Sequence, residues 1–197
     1  MFNQAIRGRI LNIEGEIATG DKLMVVKNNY FWADGNDAIS FIANGDMAEI
    51  RKIKHFDEMY GFRFADVELS FTDYPDAPNV EAKILLDTLN SNSASLTEEE
   101  SKRLFSAIEE DYMDIPNRRD RYKEMKKSPW FNALQVKFAY ALTCHKTQGG
   151  QWNTVFIDSS MNLKETLEVE DLRWLYTALT RAQERVCFVN FKEEFFG

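Results

Sequence analysis

The chain is poor in the residues that would commit it to several common classes. Two cysteines occur in 197 residues, Cys144 and Cys187. That is too few for a disulfide scaffold and fits a reducing cytoplasm. The two histidines, His55 and His145, are isolated, and no Cys/His spacing suits a metal. No apolar run approaches a membrane span, and the first residues lack a basic-then-apolar signal pattern, so no membrane partner is expected. The formal charge is −8, the wrong sign for a protein that coats nucleic acid over its whole surface. A local groove gripping a few phosphates is compatible with it.

A phosphate-binding loop is also missing. G-x-x-x-x-G-K-[ST] holds phosphates on backbone N–H groups and a lysine. The nearest match, Gly15–Lys22 (GEIATGDK), spaces its glycines correctly but puts Asp21 where the lysine belongs and offers no hydroxyl for magnesium. An anion there repels phosphate, so this segment is rejected. Asp158 ends an apolar run without an acidic neighbour and reads as a strand-end residue.

The apolar fraction of 44% and charged fraction of 28% are those of an ordinary globular chain. Residues 1–13 read as a short helix with Phe2, Ala5, Ile6 and Ile10 on one stripe. Short β-type runs follow at Lys22–Lys27, Ala38–Ala43, Met47–Lys54 and Arg63–Phe71, with Asn44-Gly45 as the best hairpin signal. Runs at this spacing predict a small barrel. Ser91–Ser95 is a polar linker. Thr97 and Glu100 form a capping box before a stripe of Leu104, Phe105, Ile108 and Tyr112. Asn117–Lys127 reads as a second, basic helix. Its Arg118, Arg119, Arg121, Lys123, Lys126 and Lys127 are more often a solvated face than a nucleic-acid channel, and Asp120 and Glu124 dilute them. Tyr30, Phe31 and Trp32 could stack bases but are more often core or rim residues.

After Pro129 the period changes. Phe138–Thr143, Thr154–Asp158 and Arg185–Asn190 read as buried strands, with a turn after the first and a helix from Val169 to Ala182 after the second. That order predicts a parallel sheet. The run Phe138–Gln151, FAYALTCHKTQGGQ, carries the densest chemistry. On a strand Thr143 and His145 share one side and Cys144 takes the other, which argues against a Cys-His pair and for Cys144 as a small core residue. Thr, Lys and Gln supply donors for phosphate or ribose oxygens, and two glycines permit close backbone approach. In the helix, Leu172, Leu175, Tyr176 and Leu179 form a core stripe, opposite Arg173, Thr177 and Arg181. Arg181 at its end is explained either by the helix dipole or by a role toward an anion.

These two segments, FAYALTCHKTQGGQ and Trp174–Arg181 (WLYTALTR), resemble motifs V and VI of the second RecA-like domain of superfamily one helicases, in the RecD-like branch. Gly20–Met24, Asn28–Tyr30 and Asn44–Asp46 look like the barrel inserted there, and Asn3 and Arg7 like the helix after motif IV. Residues 91–130 match no known element. The resemblance implies an α/β fold: a RecA-like parallel sheet with helices, P-loop NTPase-like but lacking the P-loop itself, with an inserted small β-barrel and helical subdomain. It places residues 1–17 and 131–197 in the motor domain and 18–130 in the insertion, with the barrel at about 18–90 and helices at about 96–128.

The resemblance also implies roles. Thr143, His145 and Lys146 face single-stranded DNA; Gln148, Gly149, Gly150 and Gln151 lie beside the nucleotide; Arg181 reaches the γ-phosphate. Gln151 departs from the glutamate of many relatives. ATP and Mg2+ are the implied cofactors of an intact protein, with none held stably by this half. The implied partners are single-stranded DNA and an N-terminal RecA-like domain of the same protein. A self-standing nucleic-acid-binding or adaptor module that lost its ATPase remains the alternative.

Overall fold

The computed structural model describes residues 2–160 and 168–196. The chain divides into two units, residues 1–141 and 142–197.

In the first unit, alternating apolar residues put one face of each strand inward, and five strands close on themselves. β1 (Lys22–Val25) pairs antiparallel with β2 (Met47–Met59), β2 with β3 (Phe62–Phe71), and β3 with β4 (Val80–Leu85). β5 (Leu134–Phe138) runs parallel to β4 and antiparallel to β1, which completes a closed barrel. Two register shifts in β2, between Ile50 and Lys52 and between Ile53 and His55, bend the long ribbon. Leu23, Ile50, Leu69, Ile84 and Val136 are fully or almost fully buried inside. The β4–β5 seam is short and is supported from outside by α2 (Asp87–Asn90). The buried Thr88 hydroxyl lies 2.8 Å from the Leu85 carbonyl and 2.9 Å from that of Val136, and it accepts from the Val136 N–H at 3.2 Å.

Several sequence expectations change here. Ala38–Ala43 forms no strand and contributes one bridge, Ile42 to Asn29. The Asn36 side chain accepts from the Ala38 and Ile39 N–H groups and so diverts backbone donors from a ladder. Gly45 does turn the chain, with φ of 108°, but the strand it feeds pairs with β1. The tight hairpin is instead Tyr60-Gly61, both at positive φ. Tyr60 is held there by donating to Asp111 at 2.5 Å and by its ring edge against Trp130.

The run expected as a strand over 138–143 stops at Phe138, and β5 starts earlier and belongs to the barrel. The boundary between units therefore falls after residue 141, whereas the sequence placed it at 130/131. Residues 1–17 group with the barrel unit. Their helix is brief, α1 (Phe2–Ala5), followed by a wider π turn over Ile6–Ile10. The expected apolar stripe is not buried, since Ile10 is 70% exposed, while Arg7 is 3% exposed. Polar anchoring replaces it. Arg7 pairs with Asp21 through two hydrogen bonds of 2.8 and 3.0 Å and donates to the Gly15 carbonyl at 2.7 Å. Asp21 also accepts from Tyr140 Oη at 2.7 Å and from the Ala18 N–H at 2.6 Å. The false phosphate loop is thus a turn folded around a buried ion pair.

α3 (Glu98–Glu110) and α4 (Arg118–Met125) complete this unit. The capping box of Thr97 and Glu100 is present, and Asn117 caps α4 by accepting from the Arg119 and Asp120 N–H groups.

The second unit holds β6 (Trp152–Asp158), α5 (Val169–Leu179) and β7 (Ala182–Val189), with β6 and β7 paired in parallel. Among the described residues this is one parallel pair, where the sequence suggested three strands. The residues before it are engaged otherwise: Asn3 donates to the Ala141 carbonyl at 3.0 Å and accepts its N–H at 2.7 Å. No helix among the described residues is long and apolar enough to cross a membrane.

Candidate nucleotide and nucleic-acid site

Near the start of the second unit, Thr143 to Gln151 form a 3-10 turn over Cys144–Thr147 followed by the Gly-Gly corner. The turn is closed by the Lys146 N–H on the Thr143 carbonyl at 2.8 Å and by the Thr147 hydroxyl on the Cys144 carbonyl at 2.6 Å. Strand alternation does not apply to it, yet Thr143, His145 and Lys146 all project into solvent. Cys144 is half-buried, its thiol 3.5 Å from the Trp174 carbonyl. Burial raises its pKa, against the opposing charge of Arg181, so it is a poor nucleophile. Cys144 is thus a partly covered turn residue outside the core clusters, not the small core residue that the sequence suggested.

The two glycines have separate causes. Gly149 adopts φ of 89°, a conformation costly for any residue with a Cβ. A Cβ on Gly150 would lie 2.5 Å from the Trp152 ring. The close approach that the sequence attributed to another surface is therefore made by the chain's own tryptophan, two residues on. The sequence reading missed Trp152; the G-x-W spacing was its only signal.

Arg181 connects this corner to α5. Its Nη1 donates to the Gly150 carbonyl at 3.2 Å, Nε to the Thr177 carbonyl at 3.1 Å, and Nη2 to the Thr180 hydroxyl at 3.0 Å. The Trp152 N–H returns a bond to the Arg181 carbonyl at 2.9 Å. Five sequence-chosen residues thus converge at one corner: Gln148, Gly149, Gly150, Gln151 and Arg181. Gln183 extends it by donating to Gln151 at 3.4 Å. The bond to Thr177 is what helix-end capping predicts. A guanidinium has five N–H groups, and three are engaged here, which leaves donors for an anion. Gln148 and Gln151 are exposed amides beside it. No group of three or more His, Cys, Asp or Glu able to hold a metal occurs among the described residues.

The stripe expected to be core on α5 is only partly so. Leu172 and Tyr176 are exposed, Leu175 and Leu179 half-buried, and Ala178 and Asp171 buried. Arg173 is on the surface, paired with Glu170 at 2.7 Å. At the far end of β6, Asp158 accepts from Asn190 Nδ2 at 3.0 Å and the Ser160 N–H at 2.9 Å, which supports its reading as a strand-end residue.

Residues 138–189 match the family model of the UvrD-like helicase C-terminal domain. That span contains the Gly-Gly corner, α5 and Arg181, so the resemblance to this family rests on the residues that build the site. An uncharacterized protein of Acanthamoeba polyphaga mimivirus is 24% identical over 146 residues, covering 71% of this chain and 29% of the viral protein. The Pif1 helicase of Candida albicans shows 13% identity and a TM-score of 0.44 over 90% of this chain and 33% of its own. The chain therefore spans a minor part of the length of both proteins.

Proposed function

We propose that this chain is the C-terminal motor half of an ATP-dependent DNA helicase or translocase of the RecD-like kind, moving 5′-to-3′. The observation that carries the reading is the bond from Arg181 to the Gly150 carbonyl, within a segment matched as a whole by the helicase model. It makes one unit of two motifs that are thirty-one residues apart.

In this reading Gln148 to Gln151 contact the nucleotide, and the free donors of Arg181 stabilise charge on the transferred phosphoryl group. Thr143, His145 and Lys146 contact single-stranded DNA. Bound ATP with Mg2+ supplies the phosphoryl group whose transfer drives movement. Its phosphate loop belongs to an N-terminal RecA-like domain of the same protein, because Asp21 is buried against Arg7. That domain also covers the exposed apolar side chains of the parallel pair.

Arg181→Ala in the intact parent should lower DNA-stimulated ATPase by about 10³–10⁵. Arg181→Lys should rescue it poorly, because an ammonium lacks the planar fork of donors. Loss of the three intramolecular bonds predicts a modest fall in melting temperature alongside. Normal turnover with only that fall would leave Arg181 a helix cap and defeat the proposal, as would ATP turnover by the isolated chain.

A further inference from the structure

We infer a second nucleic-acid site on the barrel unit: a track of aromatic rings and unpaired cations that takes a single strand by stacking its bases and neutralising its phosphates. It does not rest on the motor reading, since none of its residues lies in the second unit.

The track joins two clefts of about 440 Å³ each. The first, between α3 and α4, is lined by Phe105, Tyr122, Arg118, Arg119 and Glu109. The second, against the barrel, includes Lys27, Tyr30, Lys126, Phe131 and Asp34. Rings make the junction continuous. Phe105, Tyr122 and Phe131 form a triangle with centroids 6.0–6.3 Å apart, and Lys126 sits 4.7 Å over Tyr122 while lining the second cleft. Tyr30, 67% exposed, stacks on Phe41 at 5.3 Å, which holds its plane fixed at the far end.

The charges sort in a way that the sequence could not reveal. Arg121 is committed to Glu109, Lys123 to Asp120 and Lys127 to Glu124. Glu109, Asp120 and Glu124 are thereby neutralised. Arg118, Arg119 and Lys27 make no ion pair or side-chain hydrogen bond among the described residues, and Arg118 and Arg119 stand together at the first cleft. In a chain of net charge −8, unpaired arginines beside open rings are where an anion with flat, stackable groups gains most. Asp34 is the unfavourable charge, and it places the phosphates of the second cleft toward Lys27 and Lys126. A duplex does not suit the track, because its bases already stack on each other. An acidic peptide would use the cations but not the rings.

The test measures binding of the full chain to labelled oligothymidylate of about 12 nucleotides, within the usual single-strand site range. Tyr30→Ala and Tyr122→Ala should each weaken it about tenfold, as loss of one stacked base does. The pair Arg118→Ala with Arg119→Ala should reduce the log–log salt slope by about 1.4, at about 0.7 per phosphate. Thermal melting of each variant checks the fold. Binding to an abasic oligomer or polyglutamate as tight as to oligothymidylate would overturn the track in favour of a simple anion patch or an acidic partner. Binding removed by His145→Ala with Lys146→Ala and untouched by the tyrosine changes would place the strand on the motif loop alone.

Discussion

Leu69 and Phe156 are both large apolar residues within strands, yet Leu69 is 0% exposed and Phe156 is 72% exposed. The difference is one of edges. In the first unit each strand has two neighbours, because β5 returns to β1 and removes the open edges. In the second unit β6 and β7 have only each other among the described residues. Parallel pairs of this kind are normally covered on both faces. Here Phe156, Phe188, Leu172 and Tyr176 stay exposed. A barrel satisfies itself, whereas a two-stranded parallel sheet presents surfaces that a larger sheet would use. The first unit should therefore carry most of the chain's own stability, and the second should respond weakly to changes that would disable a finished domain.

The largest effect should come from the ion pair beneath the barrel. Asp21→Asn keeps the shape but leaves Arg7, 3% exposed, without its counter-charge. Removing one partner of a buried pair costs about 3–5 kcal/mol. Urea unfolding followed by amide exchange should show early loss of protection in β1 and β5, with β6 and β7 unchanged. Equal loss in both units would break the proposed independence.

That pair also shows where sequence reading stops. The capping box of Thr97 and Glu100 was legible because all its atoms lie within one turn of chain. The barrel was legible from strand spacing, and the Gly-Gly corner from its residue types. β5 was misplaced because its partners, Leu23 to Val25 and Ile84 to Leu85, are distant in sequence; only closure of the barrel explains why Leu134–Phe138 pairs there. The burial of Arg7 was not legible, because charge normally predicts exposure and its partner Asp21 lies fourteen residues away. Leu172 and Tyr176 looked like core because periodicity reports which face is apolar, not whether anything in this chain covers it.

A smaller effect sharpens the contrast directly. Leu69→Ala should cost about 2–5 kcal/mol, the range for large-to-small changes in a packed core. Phe156→Ala should change stability by within about 0.5 kcal/mol, as surface substitutions do. Both are read from urea midpoints at constant slope. A Phe156→Ala cost matching that of Leu69→Ala would mean that the parallel pair is already buried in solution, through self-association or a packing not seen here. Repeating the measurement at several protein concentrations separates those two outcomes.

The smallest effect concerns acid. Asp158 in the second unit is held below the ordinary carboxylate value of 3.8, first by Asn190 and then by the Ser160 N–H. Asp57 in the first unit is also lowered, chiefly by Lys83, whose ammonium donates to it at 2.5 Å. A carboxylate pKa lowered by folding contributes stability that is full above the unfolded value and lost as pH falls through the folded one. Both units should therefore weaken below about pH 4 and be insensitive to these groups near neutrality. Their partners differ. Asn190 and the Ser160 N–H are neutral, so the Asp158 contribution should persist at high salt; Lys83 is charged but 4% exposed at its side chain, so screening should be partial. Asn190→Ala should flatten the acid limb of the second unit alone. Asn190→Gly should do the same with less strain, because the position has φ of 58°. The check is amide exchange of β6 and β7 across pH 3–6 in the two variants. An acid limb unchanged by either would show that Asp158 draws its stabilisation from elsewhere on the strand end.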